Sequence, residues 1–451
     1  MHRRHFLASL GAAAVPAGLL HAQVPASKAD FTLHIAPASF EIAPRKVVKT
    51  IAYNGSVPGP LLRVKEGQPV TIDVFNDTGD EEIVHWHGLQ IPSAVDGAME
   101  EGTPMIRAHK SARYTFTPKP SGTRWYHTHG MAGRDLKRAT YTGQFGFFYI
   151  DPRSEPGNYD QEVFLALKEW DPYMSGGGEG DDSIDVAYGL FSINDRALGH
   201  GEPIRVKEGQ HVLLRILNAS ATITRKIAVA GHKFRVLAMD GNPVAVPKEV
   251  QVLELGPAER IDAMVEMNQP GIWILGATDD HDRERGMGIV IEYSGQSGEP
   301  RWVPPGDDTW DYAAFGNPGK VESSVEAPSF QRVPLVFEKK FAGHHWVDKW
   351  TINGRSFPKT DPIRVKANGR YRLVFDNHSD EAHPVHLHRH TFELVKIAGV
   401  PTSGVYKDVV VVGAKSQTEV DLIASNPGLT LFHCHQQMHM DYGFMALMEY
   451  L

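Results

Sequence analysis

One pattern occurs three times in this chain of 451 residues, and it governs what the chain can fold into. The stretches that begin at Ile51, Phe191 and Trp350 each carry an Asn (Asn54, Asn194, Asn353), then Arg-Val-Lys (63–65, 205–207, 364–366) and a Gly (Gly67, Gly209, Gly369). An alternating apolar run and a closing Asn (Asn76, Asn218, Asn377) follow in each. The copies start about 140 and 160 residues apart, which is a domain-sized period. Residues 70–75, 212–217 and 409–412 are β-branched and apolar runs of strand length, and long helical periodicity is scarce. The pattern predicts an all-β chain of three consecutive sandwiches, over 30–152, 158–294 and 331–451. Residues 175–180 are Gly-rich and read as a loop of the middle copy. Residues 295–330 are rich in Pro, Gly and Ser and read as a linker, and Trp302, Trp310, Tyr312 and Phe315 predict that it packs on a surface.

Apolar residues make up 41% of the chain, enough for three cores, and the net charge is −8. No block of five basic residues occurs, which argues against nucleic acid as a partner. Beyond the N-terminus no apolar run reaches the length of a membrane span. The N-terminus reads as an export signal over 1–22: Arg3-Arg4 precedes an apolar stretch from Leu7 to Leu20, a twin-arginine pattern, with an ordinary secretory signal as the alternative. Cleavage is expected after Ala22, or else after Ala26. The expected location is periplasmic or secreted. An exported chain with one cysteine forms no internal disulfide, so Cys434 is free for other chemistry.

That cysteine lies in His433-Cys434-His435-Gln436-Gln437-Met438-His439. Side chains alternate on a strand, so Cys434 faces one way and His433 and His435 the other. A thiolate and two imidazoles can then serve two metal centres through one stretch of backbone, with His439 returning to the cysteine side. Three more clusters share the two-residue spacing: His85-Trp86-His87, His127-Thr128-His129, and His383-Pro384-Val385-His386-Leu387-His388. Neutral imidazole is the commonest metal ligand. One such pair is weak evidence; four clusters supplying ten His and one Cys are not incidental. Two clusters lie in the first copy and two in the third. The middle copy has none: His200, His211, His232 and His281 lack the spacing and read as structural or surface residues. A site is therefore expected where the first and third copies meet, with the second as spacer.

In this order the four motifs resemble the multicopper oxidases, the family of laccases, bilirubin oxidases and cuprous oxidases, over essentially the whole mature chain. The resemblance implies three cupredoxin-like Greek-key sandwiches and four copper ions. It assigns His383, Cys434 and His439 to a type 1 copper, with Phe444 as a non-ligating axial neighbour; Met445 as a ligand is the alternative, though strand alternation would aim it away. It assigns His85 and His386 to a type 2 copper. His87, His127 and His435 would hold one type 3 copper, and His129, His388 and His433 the other. His390 matches a family His that is not a ligand. Asp96 matches an acid that relays protons beside the type 2 copper; a plain Asp-Gly turn is the alternative. Many relatives carry a second acid after the last His of the run. Here that position is Met440, followed by Asp441, so either Asp441 substitutes or the second relay is absent.

The resemblance implies four one-electron oxidations of a reducing substrate, coupled to reduction of O2 to water. Phenols and aromatic amines are the favoured substrates, as in a laccase. Periplasmic oxidation of Cu(I) for copper tolerance is the alternative, and a non-catalytic copper-storage or scaffold protein is a reading from another class. Met438, Met440, Met445 and Met448 near the type 1 ligands read as core packing or as a soft docking site for Cu(I). Zinc fits ten His and one Cys poorly, because its structural sites close with four ligands. A two-domain copper nitrite reductase would not need the paired clusters. Oligomeric state is not legible in the sequence.

Overall fold

The computed structural model describes residues 28–153, 157–176, 184–306, 309–317, 330–341 and 347–451. The expected signal over 1–22 and both cleavage sites lie outside these residues, as does most of the Gly-rich loop. Six sheets pair into three cupredoxin-like sandwiches: two four-stranded sheets, then a six- and a five-stranded sheet, then again six and five. No helix among the described residues is long and apolar enough to cross a membrane.

The repeat becomes three equivalent sets of contacts. In each copy the first strand runs parallel to the one after the Arg-Val-Lys segment: Phe31–Ala43 beside Val70–Asn76, Gln161–Gly176 beside His211–Asn218, and Gln331–Lys340 beside Arg370–Asn377. The Arg-Val-Lys segment pairs in parallel with the last strand of its own copy. The leading Asn takes the left-handed conformation each time, with φ of 52°, 57° and 51° at Asn54, Asn194 and Asn353. Asn tolerates that region because its side chain bonds nearby backbone. Here Oδ1 accepts from the amides of His34, Ala166 and Val336, and Nδ2 donates to the carbonyls of Thr32, Phe164 and Pro334. Each turn is thereby stitched to the first strand of its sandwich.

The Gly of the repeat is equivalent in only two copies. Gly67 and Gly209 have φ of 76° and 82°, but in the third copy the left-handed residue is Asn368, at 60°. Gly369 has another reason to be Gly: a Cβ there would lie 2.7 Å from the Tyr371 ring.

Of the segment between the second and third sandwiches, the described part packs as its aromatic residues predict. Tyr312 and Phe315 of the short 3-10 turn Tyr312–Phe315 are buried, and the Tyr312 hydroxyl donates to Glu259 Oε1 at 2.6 Å. Trp302 lies over the Arg283 guanidinium at 3.9 Å.

The closing Asn of each copy is fully buried and splints the loop beyond its strand. In the middle copy Asn218 Nδ2 donates to the carbonyls of Ile223 and Leu255, and Oδ1 accepts from the Ser220 amide. Leaving such groups unpaired costs about 1–3 kcal/mol each. Asn218→Ala should therefore destabilise the protein by at least about 2 kcal/mol in urea unfolding. A loss under about 0.5 kcal/mol would show that the splint is dispensable.

Candidate metal centres

Strand pairing brings the His clusters together. Val84–His87 runs antiparallel to Gly122–Thr128, with His85 opposite His127, and all four residues of the first strand are buried. Trp86 points to the opposite face, against Tyr114 and Tyr126. In the third sandwich His383–Leu387 pairs with Thr430–Cys434, placing His386 opposite His433 and Val385 opposite Cys434. The two histidine faces then meet: His87 stacks on His386 with ring centroids 3.8 Å apart, and His85 on His388 at 3.9 Å. His129, His388 and His433 form one group whose ring nitrogens converge, with His388 Nε2 3.1 Å and His129 Nε2 3.4 Å from His433 Nε2. His87, His127 and His435 form a second, with ring centroids 5.1–5.5 Å apart. His85 and His386 lie between them, 5.8 Å apart.

The chemistry of these nitrogens fits metal. Burial pushes His85 and His129 down to about 4 and the other six well below the ordinary histidine range, so all eight rings are neutral and carry a lone pair. Which nitrogen holds the proton is set from outside the cluster. The Nδ1–H groups of His85, His127, His386 and His433 donate to the carbonyls of Asp96, Thr128, Asp408 and Cys434, at 2.7–2.9 Å. His388 Nδ1 donates to Asp96 Oδ2 at 2.9 Å. His87 is reversed: its Nε2 donates to Asp408 Oδ1 at 3.1 Å and its Nδ1 faces His127. Inward nitrogens are left with nothing to bond. His85 Nε2, His386 Nε2 and both nitrogens of His435 are buried without a protein partner. Orphaned buried groups on this scale are expected only where a ligand completes them.

The second centre is smaller. His383 Nδ1 and His439 Nδ1 lie 3.8 Å and 3.5 Å from the Cys434 sulfur and 3.1 Å from each other. Ser379 Oγ lies 2.8 Å from His383 Nε2, and Glu381 Oε2 lies 3.1 Å from His439 Nε2, leaving both Nδ1 atoms turned to the sulfur. Burial pushes the Cys434 thiol up, so only a bound cation would hold it as thiolate. One thiolate with two imidazoles suits a blue copper. Phe444 packs on the His383 ring at 4.9 Å. Met445 pairs with His433 across the sheet and shares its face, away from the sulfur. Trp350 packs 4.1 Å from the His439 ring and 4.7 Å from that of His383. Met438, Met440, Met445 and Met448 are buried, which favours their packing role over a soft docking site.

Asp96 is fully buried at the end of the turn Ser93–Asp96, and Gly97 follows it at φ 98°. Asp96 is thus both a turn residue and a neighbour of the cluster, with Oδ2 3.2 Å from His85 Nδ1 as well as bonded to His388. Glu101 comes within 3.2 Å of the same His388 nitrogen and accepts from the Leu431 amide. Burial raises both carboxyls, and the charge of Asp96 raises Glu101 further. Asp441 is elsewhere: it accepts from the amides of Ala132 and Gly133 and from Gln437. The acid that stands second at His388, beside Asp96, is therefore Glu101. His390 packs on Tyr450 and bonds its hydroxyl, as a non-ligand would, and His232 does the same with Tyr293.

Sequence reasoning also missed a buried charge network, and with it the part played by the middle copy. Asp408 bonds His87 and, through its carbonyl, His386. Its carboxylate receives Arg260 from the middle sandwich at 2.6 and 2.8 Å and Arg124 from the first at 3.4 Å. The middle sandwich is thus more than a spacer. Gly88 has the same cause: a Cβ there would lie 2.7 Å from Asp408 Oδ2 and 2.8 Å from Arg260 Nη2. The available signal was a charged residue bordering a buried apolar strand, as in Lys407-Asp408 ahead of Val409–Val412.

Comparison with known proteins agrees with this geometry. Multicopper oxidase domain families match residues 35–155, 181–295 and 332–450. The chain belongs to the multicopper oxidases. It is 31% identical to the multicopper oxidase MmcO of Mycobacterium tuberculosis over 93% of this chain and 86% of that protein. It is 24% identical to copper resistance protein A of Escherichia coli, over 88% of each. Among solved structures, a multicopper oxidase from Pseudomonas thermotolerans superposes with a TM-score of 0.72 at 25% identity, over 94% of this chain and all of that one. The laccase from Botrytis aclada does so at 0.75 and 20%, over 93% and 87%.

Removing one partner of a buried ion pair strands the other, at about 3–5 kcal/mol. Arg260→Met should lower stability by roughly that amount and loosen copper at the histidine cluster more than at Cys434. Copper analysis and type 2 electron paramagnetic resonance would show it; equal loss at both centres would mean that Arg260 only holds the fold.

Proposed function

We propose that this multicopper oxidase is a laccase-type enzyme that couples four one-electron oxidations of phenols or aromatic amines to reduction of O2 to water. The observation that carries this reading is the division of ligands by one strand: Cys434 faces one centre, and His433 and His435 face the other. His383, Cys434 and His439 would hold the type 1 copper. His85 and His386 would hold the type 2 copper, with His87, His127 and His435, and His129, His388 and His433, on the two type 3 coppers. Once bound, these four ions supply four storable electrons and the oxygen chemistry. The protein supplies the rest. The Cys434 backbone is a short covalent path between the centres. Buried Phe444 offers no donor, which favours a high type 1 potential. Six of the eight rings are oriented from outside by Asp96, Asp408 and backbone carbonyls.

Asp96 is proposed to hold and pass protons at the cluster, from the position where its Oδ2 meets His388 and His85. Asp96→Asn keeps the shape and cannot cycle a proton. Turnover should fall roughly 10²–10⁴-fold, while anaerobic bleaching of the blue band by substrate keeps its rate and the colour returns slowly in air. Normal return of the colour would reduce Asp96 to a turn residue.

The kinship to a copper resistance protein supports a second reading, oxidation of Cu(I) in the periplasm after twin-arginine export. Oxygen uptake with 2,6-dimethoxyphenol and with Cu(I), on one copper-loaded sample, separates the two. Cys434→Ser is the control: it should abolish both the blue band and phenol oxidation while the histidine cluster keeps its copper. No oxygen uptake with either donor would leave only the storage or scaffold reading.

A further inference from the structure

The eight-histidine cluster is closed on almost every side, and the ring nearest to water is His129. It is 8% exposed, while the other seven are at 3% or less. The least protected approach to the cluster is therefore at His129.

Two exposed methionines stand at that approach. Among the described residues Met99 is 58% and Met131 43% exposed, and the other methionines are buried or half-buried. Single exposed apolar side chains are ordinary; the placement of this pair is not. Met131 follows His129 by two residues, and its loop is pinned on both sides of it. The Gly130 carbonyl accepts from Gln437 Nε2 at 3.2 Å, and the Ala132 and Gly133 amides donate to Asp441. Met99 opens the 3-10 turn that ends in Glu101, the acid at His388. Ala98, just before it, packs in one small cluster with Leu431, Met440 and Met445. Both loops thus rest on the segment that carries the short helix Gln437–Asp441. Glu100 adds charge. Burial is the main influence on His129, and the Glu100 carboxylate acts against it, so negative charge lies within electrostatic reach of that ring. Sulfur also continues inward from Met99, since Met445 lies opposite His433 on the paired strands and Met440 packs in the same cluster.

Resting on the proposed reading that these histidines hold copper, we infer that Met99, Met131 and Glu100 form a loading port that captures Cu(I) from solution and passes it through His129 to the type 3 ligands. Thioethers are soft donors that select Cu(I) over the harder divalent ions, and a carboxylate beside them raises the local concentration of cations. The ion moves from two thioethers to the converging imidazoles of His129, His388 and His433. Those rings are already neutral, so no proton is released, and the copper keeps its oxidation state throughout. The port serves assembly of the enzyme and stands apart from the Cys434 centre, where the reducing substrate is proposed to act.

Loading kinetics test this. Copper-free full-length enzyme is given Cu(I) as its acetonitrile complex without oxygen. Aliquots are quenched with bathocuproine disulfonate and then aerated, and the blue band, the type 2 resonance and the copper count are read. Met99→Leu/Met131→Leu keeps volume at two exposed positions, so the fold should persist. The double variant should fill the histidine cluster roughly tenfold more slowly, gain the blue band at the wild-type rate and end with the wild-type copper count and turnover. Glu100→Gln should slow the same phase. Uptake curves equal to the wild type would overturn the proposal, as would equal slowing at both centres. A second readout uses the copper-loaded enzyme. Ag(I) is a redox-inert soft cation, and in nitrate buffer it should protect Met99 and Met131 from oxidation by hydrogen peroxide, followed by peptide mass spectrometry, whereas Zn(II) should not. Unchanged oxidation with Ag(I) would also count against the port. A wild type that takes no copper into the histidine cluster would instead sink the ligand assignment on which the proposal rests.

Discussion

Everything at the histidine cluster depends on one buried carboxylate. Asp408 takes Arg260 from the middle sandwich and Arg124 from the first, and it bonds His87 of the first sandwich and His386 of the third. The network continues through Asp240, which accepts from the amides of Asp408 and Val409 and pairs with Lys407 at 3.0 Å. A buried pair like this adds little net stability, because taking the ions out of water cancels most of their attraction. Its value lies in what it forbids. The two histidine faces can slide only if Asp408 or an arginine is left unpaired, and that penalty far exceeds the cost of shifting apolar contacts. The sandwiches are also pressed together where the network sits: a Cβ on Gly122 would lie 2.0 Å from the Gly241 carbonyl. Close approach there lets the Arg124 and Arg260 side chains reach a carboxylate that belongs to neither of their own sandwiches.

The same rigidity makes the cluster metal-ready. Eight neutral imidazoles in a dry interior would ordinarily turn their polar atoms toward partners. Here the outer nitrogens of six rings are occupied by carbonyls and by Asp96 and Asp408, while His85 Nε2, His386 Nε2 and both nitrogens of His435 have no partner. The cost of those orphans is carried by the fold, which is held by three cores and by the stitched turns at Asn54, Asn194 and Asn353. Metal then relieves a penalty already present, so binding and native stability rise together.

How much of this the sequence disclosed follows from the range over which each signal acts. The paired histidines are a local pattern with period two and the three-fold repeat is a direct match between segments, so sandwich architecture and ligand candidates could be read directly. Met445 could be set aside because strand alternation is also local. The charges around the ligands come largely from distant parts of the chain and have no periodicity: Arg260 lies 148 positions from Asp408, and His87 lies 321 from it. Glu101 could not be told from a surface acid in Met99–Glu101, because the segment reads as a polar turn and only the packing against Leu431 buries it. The cover over His439 was not legible for a similar reason. Its neighbour Glu381 is two positions from another ligand, His383, and only the folded loop carries it across to His439.

The smaller centre shows how far the middle sandwich reaches. His439 sits on the short helix Gln437–Asp441, which has one turn and no side-chain cap. A helix this short has no stability of its own. Its Gln437 amide donates to the Ala221 carbonyl of the middle sandwich, its Gln437 Oε1 accepts from Thr140 of the first, and its Asp441 takes the amides of Ala132 and Gly133. All three sandwiches therefore place the one imidazole whose outward nitrogen meets Glu381. A third sandwich on its own would keep His383 and Cys434 on its sheet and lose the anchors of His439. The ligand-free middle copy is needed for both centres, through Arg260 at one and Ala221 at the other, which explains why a copy without a single candidate ligand persists in a chain built around copper.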